Sequence, residues 1–269
     1  MLIHGLAGSA DAPYVARLAG LLFVSGTRVV RMNLRGAGSG FDKARGTYHA
    51  GRTEDVRRVA AWAAEGAPGS PIGLVGFSLG GNLALKLAAE AGNTPLPGLD
   101  CVVAANPPID LAASCRYIQR PGSRVYDRQF VKLLVADVKR RHRTFPDLGP
   151  VAFPKLMSLF DFDERYTAPR NGFQGARDYY ARSSSRPLIP GIRVPGLVIH
   201  SEDDPFIPVE PFLETVFPEN LSLELTPSGG HLGYLSRASW NGSRRWLDHR
   251  IMTWLKTRWG CGFAPDLVA

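Results

Sequence analysis

The sequence predicts an α/β fold in which a mostly parallel sheet carries helices on both faces, and three observations point there. Apolar runs of strand length alternate with segments of helical spacing. The run Ile72–Phe77 breaks at Ser78-Leu79-Gly80-Gly81 and resumes at once as an Ala/Leu-rich helix reaching Glu90. A stretch without clear strands, about 111–190, interrupts the rhythm, which returns at Val194.

Taken in order, Met1-Leu2-Ile3 is the end of a buried strand that enters a Gly-rich turn, His4-Gly5-Leu6-Ala7-Gly8-Ser9. A helix from Pro13 to Gly26 leads to a strand, Arg28 to Asn33, and then to the loop Arg35-Gly36-Ala37-Gly38-Ser39-Gly40. Thr53 is expected to cap a helix through Glu65, with Val56, Val59, Ala60 and Ala63 on one face. Beyond the central strand-turn-helix unit, Cys101 to Ala105 is a strand stopped by Asn106-Pro107-Pro108. From about 111 to 190 helical patterns, arginines and Pro/Gly/Ser segments read as a helical lid inserted into a single domain spanning 1–269. Val194 to His200 is the next strand, closed by Asp203-Asp204-Pro205-Phe206-Ile207-Pro208; a helix from Val209 to Phe217 and a strand from Leu221 to Leu225 follow. Ser228-Gly229-Gly230-His231 then leads to a last helix from about Ser243 to Arg258.

Composition narrows the function classes. With 45% hydrophobic and 21% charged residues the chain is an ordinary globular protein. No run of about 18 apolar residues is present, so no transmembrane helix is expected. Met1 leads into Leu2-Ile3-His4 with no basic region, so no signal peptide is expected either. Cys101, Cys115 and Cys261 are odd in number and lack metal-ligand spacing, which fits a reducing, cytoplasmic setting. No metal or other cofactor is implied.

The net charge of +8 raises the question of a polyanionic partner. The one dense basic cluster, Lys139-Arg140-Arg141-His142-Arg143, ends a helical segment whose Phe130, Val131, Leu134, Val135 and Val138 share a face. Cations at a helix C-terminus complement its dipole, so a solvated helix end is the first reading. An anionic substrate or membrane surface, reached peripherally, is the second. Nucleic acid is not expected, because no zinc-finger or RNP-type aromatic motif accompanies the cluster.

The chemistry centres on Gly76-Phe77-Ser78-Leu79-Gly80, a G-x-S-x-G pattern between strand and helix. The glycines free a sharp turn of side chains, so that Ser78 stands clear at the carboxyl edge of the sheet, where open α/β sheets bind ligands. A serine hydroxyl attacks only when a base takes its proton and a carboxylate orients that base. The chain supplies both in the order Ser, Asp, His, each just past a strand. His231 is the expected base. Asp204, ahead of a Pro-Phe-Ile-Pro turn, is the expected acid, with the adjacent Asp203 as the alternative. For the oxyanion, the backbone N–H groups of Leu79 and Leu6 are expected donors. His49 is expected to order a loop, and the H-x4-D spacing of His142 and Asp147 is given little weight.

These residues together resemble the α/β-hydrolase superfamily, and within it the YheT-like branch of carboxylesterase-like proteins. The resemblance covers nearly the whole chain and rests on His4-Gly5-Leu6-x-Gly8-Ser9, Met32-Asn33-x-Arg35-Gly36, His49-x-Gly51-x-Thr53-x-Asp55, Gly76-Phe77-Ser78-Leu79-Gly80-Gly81-Asn82 and Asn106-Pro107-Pro108-Ile109-Asp110-Leu111. Later come Asp163, Gly172-Phe173, Asp178-Tyr179-Tyr180, Ser184, Ile192, Pro195, Asp203-Asp204 and Gly229-Gly230-His231-Leu232-Gly233. It implies an α/β-hydrolase fold and a serine hydrolase acting on carboxylic esters, including lipid-like ones. Eukaryotic members of the branch work on acylglycerols, phospholipids or acyl transfer to alcohols. An acyltransferase and an inactive binding protein of the same fold are therefore the competing readings. Such proteins carry more sequence ahead of the His-Gly turn than the three residues here, so the first strands of the sheet are expected to be missing and the Arg28-to-Asn33 strand to lie at an open edge.

Overall fold

The computed structural model of the chain describes residues 1–240 and 242–260. Six strands, β1 (Leu2–Ile3), β2 (Arg31–Met32), β3 (Ile72–Phe77), β4 (Leu99–Ala105), β5 (Gly196–Ser201) and β6 (Leu221–Thr226), form one parallel sheet in the order β2-β1-β3-β4-β5-β6. Val75 pairs with Val103, Val103 with Leu197, and Leu197 with Ser222. β3 and β5 are buried along their whole length, as strands covered on both faces must be.

Alternation across the pleat divides the core in two. Val75, Phe77, Val103, Ala105 and Ile199 pack on α1 (Pro13–Val24) and, at the chain's end, α10 (Trp246–Trp259). Leu74, Val102, Ala104 and Val198 face α2 (Thr53–Glu65) and α3 (Leu79–Glu90). An ion pair from Arg17 of α1 to Asp248 of α10 ties the first layer together. Because the chain runs from β1 outward to β2 and back past β1 to β3, the strand order reverses between β1 and β3. That reversal opens a crevice at their carboxyl ends, where the His4 turn and Ser78 meet.

Between β4 and β5 lie α4 (Leu111–Ile118), α5 (Arg124–Thr144), α6 (Leu159–Phe162), a π-helical turn at Asp163–Thr167, α7 (Ala168–Arg170) and α8 (Ala176–Ser183). Asp110 caps α4 by accepting from the Ala113 N–H at 2.9 Å, and Ser158 with Asp161 forms a capping box on α6. Val131 and Val138 of α5 close over Met157, Phe162 and Tyr166 in a small core of their own.

Several expected elements differ. The basic cluster is only partly solvated: Lys139, Arg140 and Arg143 are exposed, but Arg141 is 0% exposed and His142 is buried. Arg141 reaches under the 36–44 loop and donates to the carbonyls of Gly36 (2.7 Å), Ala44 (2.5 Å) and Phe41 (3.4 Å). Thr53 opens α2 without capping it and instead donates to Glu90 at 2.6 Å. The helix expected from Val209 to Phe217 is one turn, α9 (Glu210–Leu213); Thr215 bonds back to the Pro211 carbonyl, and the β-branched Thr215-Val216 pair runs into Pro218. A hairpin of β7 (Leu235–Trp240) and β8 (Ser243–Arg245) takes the start of the expected last helix, which begins at Trp246. Cys101 and Cys115 are buried free thiols, while Cys261 lies outside the described residues. No helix among the described residues is long and apolar enough to cross a membrane.

Candidate active site

Ser78 sits between β3 and α3 with φ 52° and ψ −124°, a conformation that costs a non-glycine residue free energy and persists only where its surroundings enforce it. They do so by close approach. A Cβ at Gly76 would overlap the Gly80 carbonyl, and one at Gly80 would overlap the Ile3 carbonyl. The Ser78 N–H is held by the Ala105 carbonyl at 2.8 Å, and its carbonyl accepts from Gly81 at 2.8 Å to start α3. The side chain is left facing a cavity of about 730 Å³ that Leu6, Leu79 and His231 also line.

His231 is carried on a turn after β6 in which Gly230 (φ 54°) and Leu232 (φ 69°) are both left-handed. Its Nδ1 lies 2.8 Å from Asp204 Oδ2. Asp204 is buried at the end of β5, and its other oxygen accepts from the N–H groups of Phe206 (2.8 Å) and Ile207 (3.2 Å). Asp203 has a different place: its Oδ1 accepts from the N–H groups of Gly229 (2.9 Å) and Gly230 (2.7 Å), clasping the turn that presents His231. Of the two carboxylates, Asp204 is therefore the one on the imidazole. Phe206 packs its ring 4.6 Å from that of His231. Among the described residues the Ser78 hydroxyl makes no hydrogen bond. Serine-histidine contacts are often loose without substrate and tighten on binding.

The His4 turn is built to approach Ser78. A Cβ on Gly5 would stand 3.1 Å from Ser78 Cβ and 3.3 Å from the Phe77 carbonyl, so a side chain there would crowd the loop against the serine. His4 is fully buried, donating from Nδ1 to the Gly5 carbonyl at 2.8 Å and accepting at Nε2 from the Leu34 N–H at 3.1 Å. Burial lowers its pKa, which suits that neutral structural role. The Gly5 N–H is taken by the Tyr14 hydroxyl (3.0 Å) and that of Ala7 by the Tyr48 hydroxyl (2.7 Å). Between them the Leu6 N–H has no protein acceptor among the described residues. The Leu79 N–H, in the first turn of α3, lies beyond the reach of the intrahelical ladder. Both expected donors are thus uncommitted and both residues border the cavity.

Two neighbours escaped the sequence reading as site residues. Asn106, at the end of β4 with φ 45°, donates to Asp204 Oδ2 (2.7 Å) and to the Gly230 carbonyl (3.2 Å). Tyr234 donates its hydroxyl to Asn106 Oδ1 at 2.6 Å. The available signal was an asparagine at a strand's carboxyl end, the residue type that tolerates positive φ. His49 is buried against Phe173 and Tyr179, its pKa lowered to about 3 by burial and by Arg52. His142 and Asp147 do not meet: His142 bridges the Gly149 carbonyl and the Tyr166 hydroxyl, while Asp147 pairs with Arg45. Among the described residues no group of three or more His, Cys, Asp or Glu side chains is placed to hold a metal ion.

A glycine-flanked serine at the strand-order reversal, with an imidazole-carboxylate pair on the same sheet edge, is the layout of an α/β hydrolase. The sequence model of the family described as alpha/beta hydrolase fold matches residues 1–238, and the chain belongs to that family. It is 34% identical over 262 residues to the Escherichia coli protein named "Putative esterase YheT", covering 96% of this chain and 76% of that protein, which places it in the YheT-like branch. It is 28% identical over 270 residues to a monoacylglycerol lipase of Saccharomyces cerevisiae, covering 95% of this chain but only 58% of that one. Among solved structures, the Pyrococcus furiosus esterase Pf2001 superposes with a TM-score of 0.59 at 18% identity, over 95% of this chain and 81% of its own. A monoacylglycerol lipase from Paleococcus ferrophilus does so with a TM-score of 0.55 at 20% identity, over 96% and 93%. These two share the fold.

Proposed function

We propose that the chain is a serine hydrolase that cleaves carboxylic esters, including lipid-like ones, through an acyl-enzyme. The observation that carries this reading is the 2.8 Å pairing of His231 Nδ1 with the buried Asp204, on the wall of the cavity that also holds the strained Ser78. Asp204 fixes the tautomer with its proton on Nδ1, leaving Nε2 as a base. Ser78 Oγ attacks the ester carbonyl while its proton passes to Nε2, and Asp204 stabilises the imidazolium that forms. The Leu6 and Leu79 N–H groups receive the oxyanion; one such donor is worth about 10²–10³ in kcat. Collapse of the tetrahedral species expels the alcohol, which takes the proton from Nε2. Water then attacks the acyl-enzyme by the same route and releases the acid.

The 111–190 segment serves as the lid, and Phe130 and Leu134 of α5, which border the cavity, offer an acyl chain its apolar wall. The yeast and archaeal relatives named as lipases support an acyl substrate of this kind. The test is labelling by a fluorophosphonate, read by intact mass, on the folded protein and on Ser78→Ala. Labelling of the wild type alone is expected; no labelling of a folded wild type, or equal labelling of both, overturns the proposal.

A further inference from the structure

Helix α5 turns an unusual face to solvent. Over 21 residues, roughly 31 Å at helical rise, its exposed cations are Arg124, Arg128, Lys132, Lys139, Arg140 and Arg143. Of its two carboxylates, Asp127 is buried and accepts from the Leu159 N–H at 2.9 Å, while Asp137, its side chain 42% exposed, is paired with Arg141 at 3.4 Å. No ion pair engages any of the six cations among the described residues. Interleaved with them are apolar groups that a solvated helix would keep covered: Val125 is 65% exposed, Leu133 44% and Tyr126 41%. Seven-residue spacing places Tyr126, Leu133 and Arg140 in one row and Val125, Lys132 and Lys139 in the next.

We propose that this outer face of α5 is a docking surface for an anionic lipid bilayer. A cationic face studded with exposed aliphatic and tyrosine side chains matches an anionic headgroup layer above acyl chains. Nucleic acid would satisfy the charges but give Val125 and Leu133 nothing to enter. The position of the face agrees: Leu133 and Arg140 are both exposed and both border the cavity, so the docked helix brings the cavity rim to the membrane. The face also lies one ring away from the candidate base, because Tyr126 packs on Phe206 with ring centres 4.9 Å apart and Phe206 packs on His231. The bilayer is thus both a binding partner and, on the ester-cleaving reading above, a source of substrate; docking itself does not depend on that reading.

Vesicle co-sedimentation tests it without reference to activity. The protein is mixed with phosphatidylcholine vesicles and with vesicles carrying about a third phosphatidylglycerol, at low and high salt. Partitioning onto the anionic vesicles is expected, weakening as salt rises. Substituting K132Q, K139Q and R143Q together should weaken it by about 100-fold, since each basic side chain near such a surface contributes about fivefold. L133S should weaken it while leaving the salt dependence in place. Circular dichroism and hydrolysis of a short soluble ester by the triple variant, whose three residues lie outside the cavity wall, should match the wild type. Failure to bind anionic vesicles at low salt, equal binding to neutral ones, unchanged binding of a folded triple variant, or tighter binding to duplex DNA that L133S does not affect would each overturn the proposal. Because binding is read by sedimentation, a protein that docks but does not label with the fluorophosphonate would sink the ester-cleaving reading and leave this one standing.

Discussion

Asn106 Nδ2 stands 2.7 Å from Asp204 Oδ2, the oxygen that also receives His231 Nδ1. Together with the 3.2 Å bond to Gly230, this makes Asn106 a strut between the carboxylate and the turn bearing the imidazole. Substitution by alanine removes both bonds, leaves the Tyr234 hydroxyl without its acceptor and keeps a Cβ at positive φ. Asn106→Ala is expected to lower stability by about 3 kcal/mol, because buried polar groups lose their partners. It should also lower kcat for an ester by roughly 10–100-fold, less than the loss of a triad carboxylate. Denaturant melts and steady-state kinetics check both; an unchanged kcat would remove Asn106 from the site.

The two adjacent aspartates separate in the same assay. Asp204→Asn keeps the shape but presents an amide to Nδ1 in place of a carboxylate, so kcat should fall by about 10⁴ with little change in KM. Asp203→Ala releases the Gly229 and Gly230 N–H groups at an exposed position, for which a loss of about tenfold in kcat and about 1 kcal/mol of stability is expected. Equal effects of the two substitutions would contradict the division of labour.

The candidate residues could be picked out in the sequence because each lies in a local turn, whereas the choice between Asp203 and Asp204 stayed open there. The Gly-x-Ser-x-Gly turn, the Asp-Pro turn after β5 and the Gly-Gly-His turn after β6 each announce themselves within a few residues, and strand ends bring them to one edge. Asn106 and Arg141 were harder to read, since their roles depend on partners about a hundred residues away. In the same way Arg141 looks like one cation among four in the 139–143 cluster, and only the fold shows that a helical turn aims it inward. The β7–β8 hairpin was hidden by its polar strand Ser243–Arg245, which carries no apolar alternation.

Arg141 supports a sharper test of α5. Its guanidinium gathers the Gly36, Phe41 and Ala44 carbonyls, and Arg140 lies 3.6 Å over the Phe41 ring, so the helix end and the 36–44 loop hold one another. Arg141→Met leaves those carbonyls without their donor and should cost about 3 kcal/mol. Arg141→Lys should recover little of it, because one ammonium cannot span the fork a guanidinium fills. Chemical denaturation of the three proteins measures this; full rescue by lysine would show that charge alone matters.

Asp163 gives stability a pH dependence with a defined sign. It sits in the π-helical turn on the cavity wall, accepts from the Tyr180 hydroxyl at 2.7 Å, and has no Lys or Arg partner among the described residues. Burial raises its pKa from 3.8 to about 6, against the opposing pull of its hydrogen bonds from Thr167 and Tyr180. The folded chain therefore holds this proton more tightly than the unfolded chain. Below about pH 3 both states are protonated and Asp163 costs nothing; as pH rises towards 6 the unfolded carboxyl ionises first and stability falls; well above 6 the full penalty of about 3 kcal/mol stands. Asp163→Asn keeps an acceptor for Tyr180 and cannot ionise. Its Tm should exceed that of the wild type by roughly 5–10 °C at pH 8, with the gap closing by about pH 3. Calorimetry across that range decides it: a difference in Tm that does not change with pH would mean that Asp163 is not the buried, uncompensated charge its surroundings make it.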